Sequence, residues 1–96
     1  VTAMGGRRRL HVRLKGLVQG VGFRHYARQL AESFGITGYV KNVPDGSVEV
    51  VAEGDTDVLN AFLDELKIGP RFASVSRVDV QWSEASDEFG DFNYRF

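Results

Sequence analysis

Ninety-six residues, 43% hydrophobic and 26% charged, suffice for one small soluble domain and leave no room for a second core. A formal net charge of -1 gives no electrostatic case for a nucleic acid or an anionic membrane as the main partner. The absence of cysteine excludes disulfide frameworks, Cys-type zinc sites and thiol nucleophiles. No apolar run approaches the length of a membrane span, and the basic N-terminus lacks the apolar stretch of a secretory signal, so the cytoplasm is the expected location. Residues 1–8 read as a flexible leader, with Arg7-Arg8-Arg9 as solvated charges. Met4 is the expected natural start, with Val1–Ala3 added in front of it.

The folded part is expected over residues 9–96. Leu10, Val12 and Leu14 alternate with His11, Arg13 and Lys15, the period of a half-buried strand. A glycine-rich stretch, Gly16-Leu17-Val18-Gln19-Gly20-Val21-Gly22-Phe23-Arg24, follows. Phe23, Ala27, Leu30, Ala31 and Phe34 then make one apolar helical face, and Gly35 is a left-handed cap candidate. Ile36, Gly38 and Val40 alternate in a second strand that runs out at Asn42. Pro44-Asp45-Gly46 is turn chemistry, so a hairpin leads into a third strand, with Val48, Val50 and Ala52 on one face and Glu49, Val51 and Glu53 on the other. Leu59, Phe62, Leu63 and Leu66 define a second helix, stopped by Gly69-Pro70. Val78, Val80 and Trp82 form the core face of a fourth strand, and Phe92, Tyr94 and Phe96 predict a short terminal one.

The order is βαββαβ plus a short C-terminal strand. It predicts an α+β, ferredoxin-like fold: an antiparallel sheet with two helices on one face. That architecture carries many functions, so function must come from a site.

The glycine stretch joins a strand to a helix start. Glycines there let several N–H groups converge, and the helix start adds unpaired N–H groups at the positive end of its dipole. Arg24 contributes a planar fork suited to a phosphate or carboxylate. The stretch reads as an anion cradle, although on its own a tight strand-to-helix turn is the favoured reading. Arg24 alone is a helix-start cation, and Asn42 alone is a turn residue. The topology changes the balance. The first strand rises to the loop, the helix returns, and the second strand rises again, so Arg24 and Asn42 reach the same edge of the sheet. An arginine holding a phosphate and an amide orienting water beside it suffice to hydrolyse an activated phosphoryl bond.

Both stretches resemble the paired signatures of the acylphosphatase family: residues 16–24 the first, and Gly38-Tyr39-Val40-Lys41-Asn42-Val43-Pro44-Asp45-Gly46-Ser47-Val48-Glu49 the second. The resemblance runs from about Arg9 to Phe96 and shows no departure at Arg24 or Asn42. It implies hydrolysis of acyl phosphates to a carboxylate and inorganic phosphate, without metal or other cofactor. It makes Arg24 the substrate-phosphate arginine, Asn42 the residue that orients the water, and Gln19, Gly20, Val21, Gly22 and Phe23 the phosphate-binding loop.

His25 is expected on the surface, pointing away from Arg24. Tyr39, Tyr94 and Phe96 are expected to pack, with an aromatic near Asn42 able to line an acyl pocket. Two histidines without an acidic cluster make no metal site. No Gly-Lys-Ser/Thr closes the loop, which speaks against a nucleotide. The third strand carries a carboxylate where an RNA-stacking ring would be needed. The expected partner is therefore a small acyl phosphate, with no nucleic acid and no membrane, and the expected state is a monomer. The chain runs out in its last strand, which favours a free-standing protein. The alternative is a non-catalytic small-anion-binding or regulatory domain of the same fold.

Overall fold

The computed structural model describes residues 6–96; the expectations for Val1–Gly5 lie outside the described residues. Alternation in the first strand does what its period demands. β1 (Arg7–Leu17) buries Leu10, Val12 and Leu14 completely on one face. α1 (Phe23–Phe34) lays Phe23, Ala27 and Ala31 on that face. Gly35 ends it at φ 70°, its N–H donating to the carbonyls of Ala31 and Glu32. β2 (Thr37–Asn42) and β3 (Val48–Asp55) form the expected hairpin. α2 (Thr56–Ile68) buries Leu59, Phe62, Leu63 and Leu66. β4 (Ser74–Glu84) and β5 (Phe92–Arg95) complete the chain.

The sheet order is β4-β1-β3-β2-β5. Both β1 and β2 run antiparallel to β3, which lies between them. They are therefore parallel to each other, the split arrangement expected of this plan. One feature differs from a wholly antiparallel sheet: β5 pairs parallel with β2, from Gly38 opposite Phe92 to Lys41 opposite Arg95. β4 delivers the chain to the end of the sheet where Glu84 faces Arg8, near the start of β2. A short crossing from there reaches the free β2 edge at its first residues, so β5 must run alongside β2. Gly38 N–H donates to Asp91 O at 2.8 Å where the crossing lands.

That crossing buries part of the second face of β3 and overturns the expectation for Arg9. Glu53 is fully buried and Val51 is 5% exposed, although both lie on the face of β3 opposite Val48, Val50 and Ala52. The segment between β4 and β5 covers Glu53. Glu53 accepts from Ser86 N–H (2.9 Å), Asp87 N–H (2.8 Å), Ser86 Oγ (3.0 Å) and Arg9 Nε (2.7 Å). Burial alone would raise its pKa. The Ser86 N–H, Arg9, the Asp87 N–H and the Ser86 hydroxyl overcome this and take the carboxyl down to about 2. Arg9 is accordingly not a solvated leader charge; it also donates to Glu88 and to Ser86 Oγ. Arg7 and Arg8 already belong to β1, opposite Asp55 and Gly54.

Val80 departs from the expected core face of β4 at 36% exposure. β4 is an edge strand, and the large apolar side chains of the core stand over β1, β3 and β2. Phe62 sits at their centre, edge-on to Phe34 and Phe92.

Candidate active site

The register of β3 brings the two signatures together. Val48 is flanked by Leu14 of β1 and by Asn42 of β2. The loop leaving β1 therefore rises beside the last residue of β2. Val18 is 1% exposed and anchors the loop to the core. Gly20 and Gly22 then take φ 75° and 80°. A Cβ at either position would meet nothing within 4 Å, so the demand for glycine is conformational rather than steric crowding.

Gly22 is also the N-cap of α1, and its carbonyl accepts the first helical bond from Tyr26 N–H at 3.0 Å. No side chain caps this helix start, and its first turn holds no acid, whereas α2 has Asp57 in that place. The leading N–H groups of α1 and the positive end of its dipole are thus left for an anion from outside the chain.

Arg24 sits at this helix start, where a cation is mildly unfavourable unless an anion stands between. Its guanidinium lies over the rings of Phe96 (5.2 Å to the centroid) and Tyr94 (5.9 Å). Arg28, one turn on, also lies over the Tyr94 ring, 5.1 Å from its centroid. Among the described residues Arg24 makes no salt bridge, although Arg9, Arg13, Arg28 and Arg77 each face a carboxylate. Its fork is held by aromatic faces and open to a ligand.

Arg24 and Asn42 line one cavity of about 390 Å³, together with Val18, Gly20, Gly22, Phe23, His25, Tyr94 and Phe96. Five of the seven residues singled out in the sequence are in that wall. Gln19 and Val21 are not; the Gln19 side chain turns to the β2–β3 hairpin, donating to Val43 O at 2.8 Å and Ser47 O at 2.9 Å. His25 is exposed as expected but reaches the cavity's rim.

Tyr94 and Phe96, read mainly as packing residues, are wall residues. Their alternation with Phe92 was visible, but nothing local said that β5 runs parallel to β2. That direction carries its far end past Lys41 to the neighbourhood of Asn42. Tyr39, the third aromatic, lies on the opposite sheet face, with the Arg95 guanidinium 4.1 Å from its ring centroid and its hydroxyl 3.5 Å from Glu49. Among the described residues no group of three or more His, Asp or Glu side chains could hold a metal ion.

Known proteins are similar to this chain in sequence and in fold. The family model described as acylphosphatase matches residues 10–94. An acylphosphatase of Thermus thermophilus is 54% identical over 76 residues, covering 79% of this chain and 86% of the relative. One of Salinibacter ruber is 46% identical over 91 residues, covering 95% and 96%. The crystal structure of acylphosphatase from Bacillus subtilis superimposes with a TM-score of 0.90 at 32% identity, covering 93% of this chain and 99% of that one. With its fold, its two signatures and nearly its whole length accounted for, the chain belongs to the acylphosphatase family.

Proposed function

We propose that the cavity between the start of α1 and the end of β2 hydrolyses acyl phosphates to a carboxylate and inorganic phosphate. The observation that carries this is the convergence of Arg24 and Asn42 on one cavity at an uncapped helix start. Arg24 and the N–H groups around Gly20–Phe23 bind the phosphoryl oxygens, and Asn42 holds a water by its neutral amide. The water oxygen bonds to phosphorus as the bond from phosphorus to the acyl oxygen breaks. The electron pair of that bond leaves with the carboxylate, whose conjugate acid has a pKa near 4, so no protein acid is needed. Asn42 cannot take a proton, and the water's proton passes to a phosphate oxygen.

The reaction is positioning plus charge stabilisation by side chains and backbone, and no metal is required. The acyl group lies against Phe23, Tyr94 and Phe96, which offer apolar area without hydrogen-bond selectivity. The chain acts as a monomer on a free small molecule in the cytoplasm; its near-zero net charge supports a role without nucleic acid.

A unit charge pair at about 4 Å with an effective dielectric near 20 is worth about 4 kcal/mol. Arg24→Ala is therefore expected to lower kcat/KM by roughly a hundred- to a thousand-fold. The test is hydrolysis of a simple aryl acyl phosphate in EDTA by the wild type, Arg24→Ala and Asn42→Ala. Turnover by the wild type and its loss in both variants supports the assignment. No turnover by the wild type leaves only anion binding, and full activity in a variant removes that residue from the mechanism.

A further inference from the structure

Gln19 belongs to the cradle loop by sequence but to the hairpin by its side chain. Its Nε2 donates to Val43 O at 2.8 Å and to Ser47 O at 2.9 Å. With two carbonyl acceptors, only one orientation of the amide works: the NH₂ end must face the hairpin.

The hairpin does not need these bonds to close. Val43 N–H donates to Ser47 O at 2.9 Å, and Gly46 N–H donates to Val43 O at 3.0 Å. The Asp45 carboxylate accepts from Ser47 N–H at 2.9 Å and from Ser47 Oγ at 2.6 Å. Each carbonyl that Gln19 engages already has a backbone donor. What Gln19 adds is a link between two halves of the site that lie 24 and 28 residues apart in the chain. It reaches the residue immediately after Asn42, at the point where the pairing of β2 with β3 stops.

We infer that Gln19 is a positioning residue that fixes Asn42 relative to the phosphate cradle, so that the water held by one half is aimed at the phosphorus held by the other. This rests on the roles proposed for Arg24 and Asn42. Two consequences separate it from general support of the fold. Gln19 acts on the alignment of water and phosphorus, so its loss lowers kcat. Its side chain turns away from the cavity, so its loss leaves the affinity for phosphate intact.

Gln19→Met keeps the length of the side chain, removes both donors and orphans neither carbonyl, so the protein is expected to fold. Misplacement of a reacting group by about 1 Å can cost roughly a hundred-fold. The experiment measures aryl acyl phosphate turnover and inhibition by inorganic phosphate in the wild type, Gln19→Met, Asn42→Ala and the double variant. The expected result is a ten- to hundred-fold lower kcat in Gln19→Met with phosphate inhibition within about twofold of the wild type. In the double variant, activity equals that of Asn42→Ala alone, because there is no longer an amide to position. Gln19→Asn, one methylene too short to reach, matches Gln19→Met. An undiminished kcat in Gln19→Met, a loss that multiplies with that of Asn42→Ala, or weakened phosphate inhibition overturns the inference. If instead Asn42→Ala is itself fully active, the assignment of the water-holding residue fails first and the inference with it.

Discussion

Replacing Glu53 by Gln tests whether the buried carboxylate under the β4–β5 crossing is a charge that the fold depends on. The substitution keeps the shape and removes the charge. Whichever way the amide turns, it also sets an NH₂ group against a donor that needs an acceptor: Asp87 N–H at one oxygen position, or Arg9 Nε and Ser86 N–H at the other. Holding the carboxyl at about 2 instead of its ordinary 4.5 is worth about 3 kcal/mol. The folded state lowers this pKa, so the stabilisation is fully present above about 4.5 and is lost as the pH falls through about 2. By about pH 3 more than half of it is gone, because the unfolded chain takes up the proton first. Near neutral pH the Glu53→Gln variant is expected to unfold about 12 to 24 °C below the wild type. Urea titrations at neutral pH and at about pH 3 should show the gap between the two proteins closing toward the acid side. A gap that is the same at both pH values, or under about 1 kcal/mol at neutral pH, refutes the charge account. Glu53 lies five residues along β3 from Val48, some 17 Å from the cavity end of the strand. The folded variant should therefore keep its kcat.

Arg24→Lys retains the charge but loses the fork and the flat surface that rests on Tyr94 and Phe96; kcat/KM in steady-state assays should fall at least about ten-fold, less than for Arg24→Ala. Gly22→Ala puts a side chain at φ 80° in open space, so urea titration should show about 1 to 2 kcal/mol of strain. Phosphate inhibition of that variant should weaken, because the leading N–H groups of α1 turn with the cap. His25→Gln tests the one ionisable imidazole at the rim of the cavity; its kcat and its pH–rate profile should match the wild type, and a profile flattened by the change would make His25 a participant.

Much of the fold was legible because hydrophobic period and turn chemistry agree along the chain. Leu10, Val12 and Leu14 fill the inner face of β1, and Gly35 caps α1 where the apolar helical face stops. The two halves of the site were legible for a related reason. Strands parallel to one another across a central third must end at the same edge, and so Arg24 and Asn42 share a wall. What escaped depends on contacts distant in sequence. Glu53 alternates like a solvent-facing residue, and only the crossing at Ser86 and Asp87 buries it. Arg9 sits in an arginine run that looks solvated until its partner is known to be beneath that crossing. Tyr94 and Phe96 enter the wall through the direction of β5, which no local pattern encodes. The Gln19 amide points where two carbonyls of a remote turn invite it.

The central claim is that Asn42 aims water at phosphorus rather than at the acyl carbon. Hydrolysis of an aryl acyl phosphate in ¹⁸O-labelled water, with both products analysed by mass spectrometry, tests it in one measurement. Attack at phosphorus breaks the bond between phosphorus and the acyl oxygen, placing one label in inorganic phosphate and none in the carboxylate. Label recovered in the carboxylate would mean that the water reaches carbon, and would contradict the assignment of Arg24 and Asn42 to the two sides of a phosphoryl transfer.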